Sequence, residues 1–245
     1  MQRSLNEVEH ALKQTQIKND PDYATFRSKT SKLSVLGHRL PVMQTLVAKD
    51  FSFYTKSQDE ILNIWNHIWN TTKFHEAMSL PLFYYRHHKQ TFGKKEWDVM
   101  KHWIDRIENW EHSDALSCLF SYFLERDPAM VLPTLKKWNQ SQNPWKQRAS
   151  IVPLIYYASP KRKAPPVKLI LEMIEPLIKS KNKYVNKAVG WTLRESYKLY
   201  PKQTLAFIKQ HLQNLSADSF SYATEKLDKQ TKQALKSTRT LARRR

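Results

Sequence analysis

The sequence predicts an all-α protein built as a solenoid of paired helices. Glycine is scarce, and turns of the Asn-Gly or Asp-Gly type that close β-hairpins are absent. Three capping residues are each followed by proline, which is favoured at the first position of a helix: Asp20-Pro21, Asp127-Pro128 and Asn143-Pro144. Apolar residues recur at helical spacing between such points, as in Ile61, Ile64, Trp65 and Ile68.

Successive helix starts follow a regular rhythm in the C-terminal half. They are predicted near Ser113, Pro128, Pro144, Pro165, Lys183, Pro201 and Ser216. Adjacent helices would form antiparallel pairs of about thirty-five to forty residues, the length of HEAT-like units. Stacked pairs curve, so we expect an elongated concave groove. We assign residues 1–227 to a single HEAT-like repeat domain and residues 228–245 to a flexible, basic C-terminal tail.

The charge of the chain indicates a polyanionic partner. Forty-one Lys and Arg residues against twenty-two Asp and Glu residues give a net charge of +19, and basic side chains bind phosphates by displacing their counterions. The tail alone does not explain this excess, so the predicted groove should be basic and suited to a DNA duplex. The loop at Ser159–Pro166 contributes Lys161, Arg162 and Lys163, either as a solvated connector or as phosphate contacts.

Several function classes are excluded by composition. Three glycines are too few for a P-loop or a dinucleotide-binding loop, and one cysteine, Cys118, allows neither an intramolecular disulfide nor a multi-cysteine metal site. The histidines lack metal-ligand spacing, so we expect no metal and no cofactor. No apolar run of membrane-spanning length and no signal peptide is evident. We therefore expect an intracellular protein, in the cytoplasm or nucleoid if bacterial.

The segment after Asn109 combines an aromatic and an acidic residue on one helical face. If the helix includes Trp110, then Asp114, Ser117 and Ser121 share its face, as in the floor of a pocket. A purely structural explanation is also open: Ser113 would cap the helix, Asp114 would favour its positive end, and Trp110 would pack as a staple.

The helix predicted from Lys183 to Tyr200 places Trp191 among three cations. Its buried stripe is expected to be Val185, Val189, Leu193 and Ser196. Trp191 then falls on the opposite side, with Lys187, Arg194 and Lys198. A tryptophan on a basic face is unusual, so it either contacts a ligand or packs on a neighbouring repeat.

Arg148 raises the reverse problem, because it shares a helical face with the apolar Val152 and Ile155. A buried arginine needs a partner, which would be a protein carboxylate or a DNA phosphate. Pro153 should kink this helix.

Together these segments resemble the DNA alkylation repair family, the AlkD-type alkylpurine DNA glycosylases built from HEAT-like repeats. The resemblance rests on Trp110-x-x-x-Asp114, Trp145-x-x-Arg148 and the segment Lys187–Glu195, supported by Gly37-x-x-x-Pro41. It covers roughly Tyr23 to Leu227 and departs from the common pattern at Glu111-His112 and in the basic tail.

The resemblance implies a DNA glycosylase that excises cationic N3- and N7-alkylated purines from duplex DNA. It implies that Asp114 is the catalytic carboxylate, that Trp110 and Trp191 wall the site, that Arg148 holds the backbone beside the lesion, and that the base stays largely stacked. We expect a monomer. The alternatives are a non-catalytic helical-repeat binder of damaged or branched DNA and, from another class, a scaffold for an acidic protein.

Overall fold

A computed structural model describes residues 1–15, 20–158 and 161–242. Within these ranges the chain is helical and contains no strand; its one isolated β-bridge joins Ser34 and Phe74. The all-α prediction is therefore confirmed. None of the described helices combines the length and apolarity needed to cross a bilayer. Ser159 and Pro160, of the predicted basic loop, and Arg243–Arg245, of the predicted tail, lie outside the described residues.

The chain divides into two compact units, Met1–Leu119 and Phe120–Arg245, and each is described by itself. The first unit contains α1 Gln2–Lys13, α2 Pro21–Ser28, α3 Leu40–Val47, α4 Gln58–Thr71, α5 His75–His87, α6 Lys94–Met100 and the first turns of α7 Trp110–Arg126. Short 3₁₀ segments lie at Ser52–Thr55, Lys89–Thr91 and Lys101–Arg106. The start of α2 is fixed as predicted, because the Asp20 side chain accepts a hydrogen bond from the Tyr23 amide.

Aromatic side chains fill the core of the first unit. Helix α4 packs on α1, α5 and α6, and its predicted apolar face, Ile61, Ile64, Trp65 and Ile68, is buried. Its two tryptophans anchor separate clusters. The Trp65 ring lies 5.1 Å from that of Phe53, and the Trp69 ring stacks on Trp103 at 4.9 Å.

The second unit begins within α7 and continues with the remaining helices. These are α8 Pro128–Asn139, α9 Pro144–Ile151, α10 Val167–Ile174, α11 Lys183–Leu199, α12 Pro201–Gln210, α13 Ala217–Ala223 and α14 Lys229–Ala242. Pro128, Pro144, Lys183 and Pro201 are first residues of their helices, as predicted. Pro153 ends the α-helical geometry of α9, which gives way to a 3₁₀ segment at Val152–Ala158.

Helix α11 is the centre of the second unit and packs on α9, α10, α12 and α13. The predicted stripe of Val185, Val189, Leu193 and Ser196 is buried. Gly190 lets α13 approach closely: a Cβ atom at this position would lie 2.6 Å from the Ser219 carbonyl oxygen.

The segment that we expected to be a flexible tail contains α14. Leu235 and Arg239, one turn apart, are buried. The Arg239 guanidinium donates to the Leu215 carbonyl and lies 4.7 Å from the centre of the Phe220 ring. These contacts fix the described part of the segment to the second unit, because the cationic side chain binds a carbonyl and an aromatic ring there and the apolar one is buried.

Candidate functional site

Helix α7 begins at Trp110 because Asn109 caps it. The Asn109 Oδ1 atom accepts a hydrogen bond from the His112 amide at 3.0 Å, the position that a capping side chain satisfies. The purely structural explanation required Ser113 to cap the helix. Ser113 is instead fully buried, and its hydroxyl has no hydrogen-bond partner among the residues that the structure describes. Trp110 and Asp114 therefore lie one turn apart on the same face.

Trp110 and Asp114 line a cavity of about 220 Å³ in the first unit. Fourteen residues form its wall, and they include three carboxylates, Glu76, Glu111 and Asp114, but no lysine or arginine. The remaining lining residues are Tyr23, His38, Leu40, Met43, His75, Ser79, Leu82, Phe83, His112 and Ala115. Carboxylates and the faces of aromatic rings are the groups that attract a cation, and this cavity contains both.

Arg27, which was not predicted from the sequence as a site residue, contacts the Trp110 ring. Arg27 on α2 is buried and forms an ion pair with Glu111. Its guanidinium lies 4.9 Å from the centre of the Trp110 ring and 4.9 Å from that of Tyr23. Burial, assisted by the nearby Glu111 carboxylate, raises the pKa of the Tyr23 hydroxyl. Glu111, one of the two residues that depart from the family pattern, thus holds Arg27 beside the rings of Trp110 and Tyr23.

His112 is a buried, neutral hydrogen-bond donor. Burial lowers its pKa well below the usual range, and His75, whose ring stacks on it at 4.3 Å, lowers it further. The Asn109 Nδ2 group donates to His112 Nδ1 at 2.9 Å, because Asn109 Oδ1 is already used in the cap. The ring proton is therefore on Nε2, which faces Ser79 Oγ at 2.8 Å and the His75 carbonyl at 3.2 Å.

Glu76 holds the loop that carries the Gly-x-x-x-Pro element. Its Oε1 atom accepts from the amides of Leu36 at 3.0 Å, Gly37 at 2.8 Å and His38 at 3.3 Å. Gly37 has φ +90°, and a Cβ atom there would lie 2.8 Å from the Asp20 carbonyl oxygen. Glycine is required here for both reasons, so this part of the motif shapes the cavity wall.

In the second unit, Arg148 and Trp191 lie together. Arg148 is buried and donates from Nη1 to the Tyr184 carbonyl at 2.7 Å, while its guanidinium lies 5.8 Å from the centre of the half-buried Trp191 ring. A backbone carbonyl is thus one partner of this buried cation.

Some of the cations predicted to contact DNA are exposed, and others are paired with carboxylates of the protein. Lys187, Lys161 and Lys163 are exposed. Arg194 pairs with Glu195 at 2.9 Å and Glu225 at 2.6 Å, and these bonds raise its pKa although burial opposes them. Lys198 also pairs with Glu195, at 2.6 Å.

Arg162 is the most engaged of the predicted DNA contacts. It lies 4.1 Å and 4.5 Å from the ring centres of Tyr122 and Tyr156, pairs with Glu125 at 2.5 Å, and donates to the Ser121 hydroxyl and carbonyl. Tyr156, in the 3₁₀ segment Val152–Ala158, has a strained φ of +41°, and its ring is one of the two that Arg162 contacts.

No set of three or more His, Cys, Asp or Glu side chains within the described ranges is grouped to hold a metal ion.

The fold and site define an all-α, strongly basic protein with an acidic, aromatic cavity. The sequence profile of the family described as DNA alkylation repair enzyme matches residues 8–227, and the chain belongs to that family. Membership supports a role in the repair of alkylated DNA. No match was found among curated protein sequences.

Three solved structures, from Enterococcus faecalis and Streptococcus mutans, illustrate the similarity of fold. A predicted DNA alkylation repair enzyme from Enterococcus faecalis has a TM-score of 0.72 at 18% identity, over 87% of this chain and 99% of that one. AlkD2 from Streptococcus mutans has a TM-score of 0.56 at 18% identity, over 85% and 99%. The protein smu.31 from Streptococcus mutans UA159 has a TM-score of 0.58 at 17% identity, over 92% and 100%. At these identities the likeness concerns the fold.

Proposed function

We propose that the chain is a DNA glycosylase that hydrolyses the N-glycosidic bond of cationic N3- and N7-alkylated purines in duplex DNA. The observation that carries the proposal is the pairing of Trp110 with Asp114, one turn apart on α7, at a cavity whose lining residues include no lysine or arginine. In a member of the DNA alkylation repair family, this arrangement suits a positively charged lesion.

The reaction needs only one carboxylate. In a 7-methylguanine nucleotide the N9–C1′ bond breaks and its electron pair moves onto the base, which leaves neutral without a proton. Water then adds to C1′ and loses its proton to solvent, so that an abasic sugar remains. Asp114 would stabilise the cation-like sugar and orient the water, whereas ordinary glycosidases use a second carboxyl group to protonate the leaving group.

The other predicted residues would serve binding. The face of Trp110 would stabilise positive charge by cation–π attraction, and Trp191 would act in the same way. Arg148 would hold the lesion-flanking backbone, while Lys187, Arg194, Lys198 and the loop cations Lys161 and Lys163 would contact phosphates. Arg162, the third loop cation, would hold the loop through Glu125 instead. We propose HEAT-like repeats that present a basic groove, a monomeric chain, and action inside the cell, at the nucleoid if the source is bacterial.

The test is base release from a duplex that contains 7-methylguanine. Asp114→Asn should lower the single-turnover rate about a hundredfold or more, because it removes the charge that stabilises the sugar cation. Asp59→Asn is the matched control, since Asp59 is exposed and pairs only with the exposed Lys95 among the ion pairs seen; its rate should equal that of the parent.

Two results would contradict the proposal. Efficient release of uracil would show that the site does not depend on a cationic leaving group. No release of 7-methylguanine by the parent, with tight binding to the same duplex, would favour the non-catalytic DNA binder.

A further inference from the structure

We infer that α14 is an additional contact surface for duplex DNA and binds backbone phosphates through a lysine face, formed by Lys229, Lys232 and Lys236. This helix lies beyond residues 8–227, the part of the chain that matches the family. The inference rests on the proposed duplex substrate but not on the chemistry at Asp114. It is compatible with a base that stays stacked, because phosphates lie outside the base pairs.

The helix is fixed in place, so it holds its lysines at constant spacing. Its start is capped, because the Asp228 Oδ1 atom accepts a hydrogen bond from the Thr231 amide at 2.8 Å. Its later turns are docked on the second unit through the buried Leu235 and Arg239. Cations on a docked helix lose less conformational freedom on binding than the same cations on a flexible segment, which favours affinity.

The lysine face is a narrow stripe without carboxylates. Lys229, Lys232 and Lys236 are exposed, and their spacing of three and four residues places them within about 60° of one another around the helix axis. They extend over about 10 Å of that axis. Gln233 and Thr240, also exposed, lie beside them, and α14 contains no Asp or Glu. The face therefore offers ammonium, amide and hydroxyl donors, which are the groups that contact DNA phosphates.

The charge of the lysine face is not neutralised in the way that the charge of other exposed lysines is. In the first unit Lys56, Lys94 and Lys95 each pair with a carboxylate. None of the ion pairs seen within the described ranges includes a lysine of α14. Like charges three and four residues apart on one helix repel each other, so the free protein carries a repulsion that a bound anion would relieve.

The last turns of α14 lie at the same end of the second unit as the first turns of α11. Helices α11 and α13 begin side by side, because Ser219 Oγ donates to the Asn186 carbonyl at 2.8 Å. Arg239 in turn lies over an aromatic ring in the first turn of α13. Lys236, about one turn before Arg239, is therefore at the end of the unit that carries the exposed Lys187. We expect one bound duplex to contact both lysines.

Binding of an undamaged duplex over a series of salt concentrations tests the surface. The variant Lys229→Gln/Lys232→Gln/Lys236→Gln removes three charges and retains good helix-forming residues. It should reduce the salt slope by about two to three contacts, at ~0.9 per contact, and weaken binding at low salt at least about tenfold. Its thermal stability should equal or exceed that of the parent, because the repulsion between like charges is removed.

A matched control separates local contacts from net charge. The variant Lys56→Gln/Lys94→Gln/Lys95→Gln also removes three charges from exposed lysines, but these lysines lie in the first unit and are paired with carboxylates. Its salt slope should differ from that of the parent by less than about one contact. An equal reduction of the slope by both triple variants would show that net charge alone determines binding and would overturn the inference.

The salt slope and base release together distinguish failure of the inference from failure of the function. If the parent releases 7-methylguanine but the α14 variant keeps the parental slope, the surface is wrong, its lysines are left to another acidic partner, and the glycosylase stands. If the slope falls as expected but no base is released, the surface stands without the glycosylase. If the parent does not bind the duplex, the inference and the proposed substrate are both overturned.

Discussion

His112 makes stability depend on pH in a predictable direction. Its pKa is lowered in the folded protein by burial and by the neighbouring His75, Arg106 and Arg27, whereas an unfolded histidine takes up a proton near pH ~6.5. The unfolded state therefore binds more protons below that pH. We expect the free energy of unfolding to be constant above pH ~6.5 and to fall as the pH decreases, by at most ~1.4 kcal/mol per pH unit.

Urea unfolding between pH 5 and pH 8, about one unit or more on either side of the histidine value, measures this dependence. His112→Gln retains hydrogen-bonding capacity but cannot titrate, so its stability should lose the slope on the acid side. His102→Gln is the control, because His102 is 71% exposed; it should keep the parental slope. A parental slope in His112→Gln would show that another group is responsible.

Removal of one partner of the ion pair between Arg27 and Glu111 should destabilise the protein more than removal of both partners. Arg27→Met leaves Glu111 without its cation and should cost about 2 kcal/mol, below the ~3–5 kcal/mol of a fully buried pair because Glu111 is 24% exposed. Arg27→Met with Glu111→Gln should recover part of that loss, since no unpaired charge remains. Denaturant unfolding of the single and double variants measures both values, and a fully additive double variant would contradict the coupling.

The face shared by Trp110 and Asp114 was predictable from the sequence because that relation is local, four residues along one helix. Arg27 was not predictable, since no spacing rule connects α2 with α7; only the folded structure brings that guanidinium to the Trp110 ring. Asn109 was within reach: it is a preferred capping residue directly before Trp110, but Ser113 offered a competing signal.

Helix starts were predictable for a similar reason. A capping side chain and a following proline act within one turn, so Pro21, Pro128 and Pro144 open their helices whatever the surrounding structure. The docking of α14 was not predictable, because it depends on Leu215 and Phe220, which lie in other elements. The high charge of the segment from Lys226 suggested a solvated tail.

Gly190 should be required for the packing of α11 on α13. Gly190→Ala gains helix propensity of up to ~1 kcal/mol but places a methyl group against the Ser219 backbone, which cannot move aside as a flexible side chain can. We expect a net loss of about 1–3 kcal/mol of stability, measured by thermal unfolding.

Gly93→Ala is the matched substitution, because its nearest contact would be the flexible Glu96 side chain at 3.4 Å. It should change stability by less than ~1 kcal/mol. Equal stability of the Gly190 variant and the parent would contradict the close approach of the two helices.

Across the whole molecule, charge should control affinity for DNA. The affinity of the parent for a short duplex should fall linearly with the logarithm of salt concentration, by ~0.9 per phosphate contacted. Lys187→Ala should reduce that slope by about one contact, because Lys187 is exposed. Fluorescence anisotropy over a series of salt concentrations measures the slope.

Arg162→Ala provides the contrast within the same experiment. Its guanidinium is engaged by Tyr122, Tyr156 and Glu125, so its removal should lower stability by about 1–3 kcal/mol and leave the salt slope nearly unchanged. A slope reduced as much as in Lys187→Ala would show that Arg162 leaves these partners to contact a phosphate.

Asn109, which caps α7, also belongs to a group of three side chains whose spacing resembles a catalytic triad. Ser79, His112 and Asn109 are joined by contacts of 2.8 Å and 2.9 Å, the distances of a nucleophile–base–orienter triad. The direction of the bonds is the reverse of what such a triad needs, because Asn109 donates to the ring and the proton on Nε2 points towards Ser79. The serine hydroxyl therefore meets a donor where a triad offers an acceptor, so these three groups do not activate Ser79 as a nucleophile.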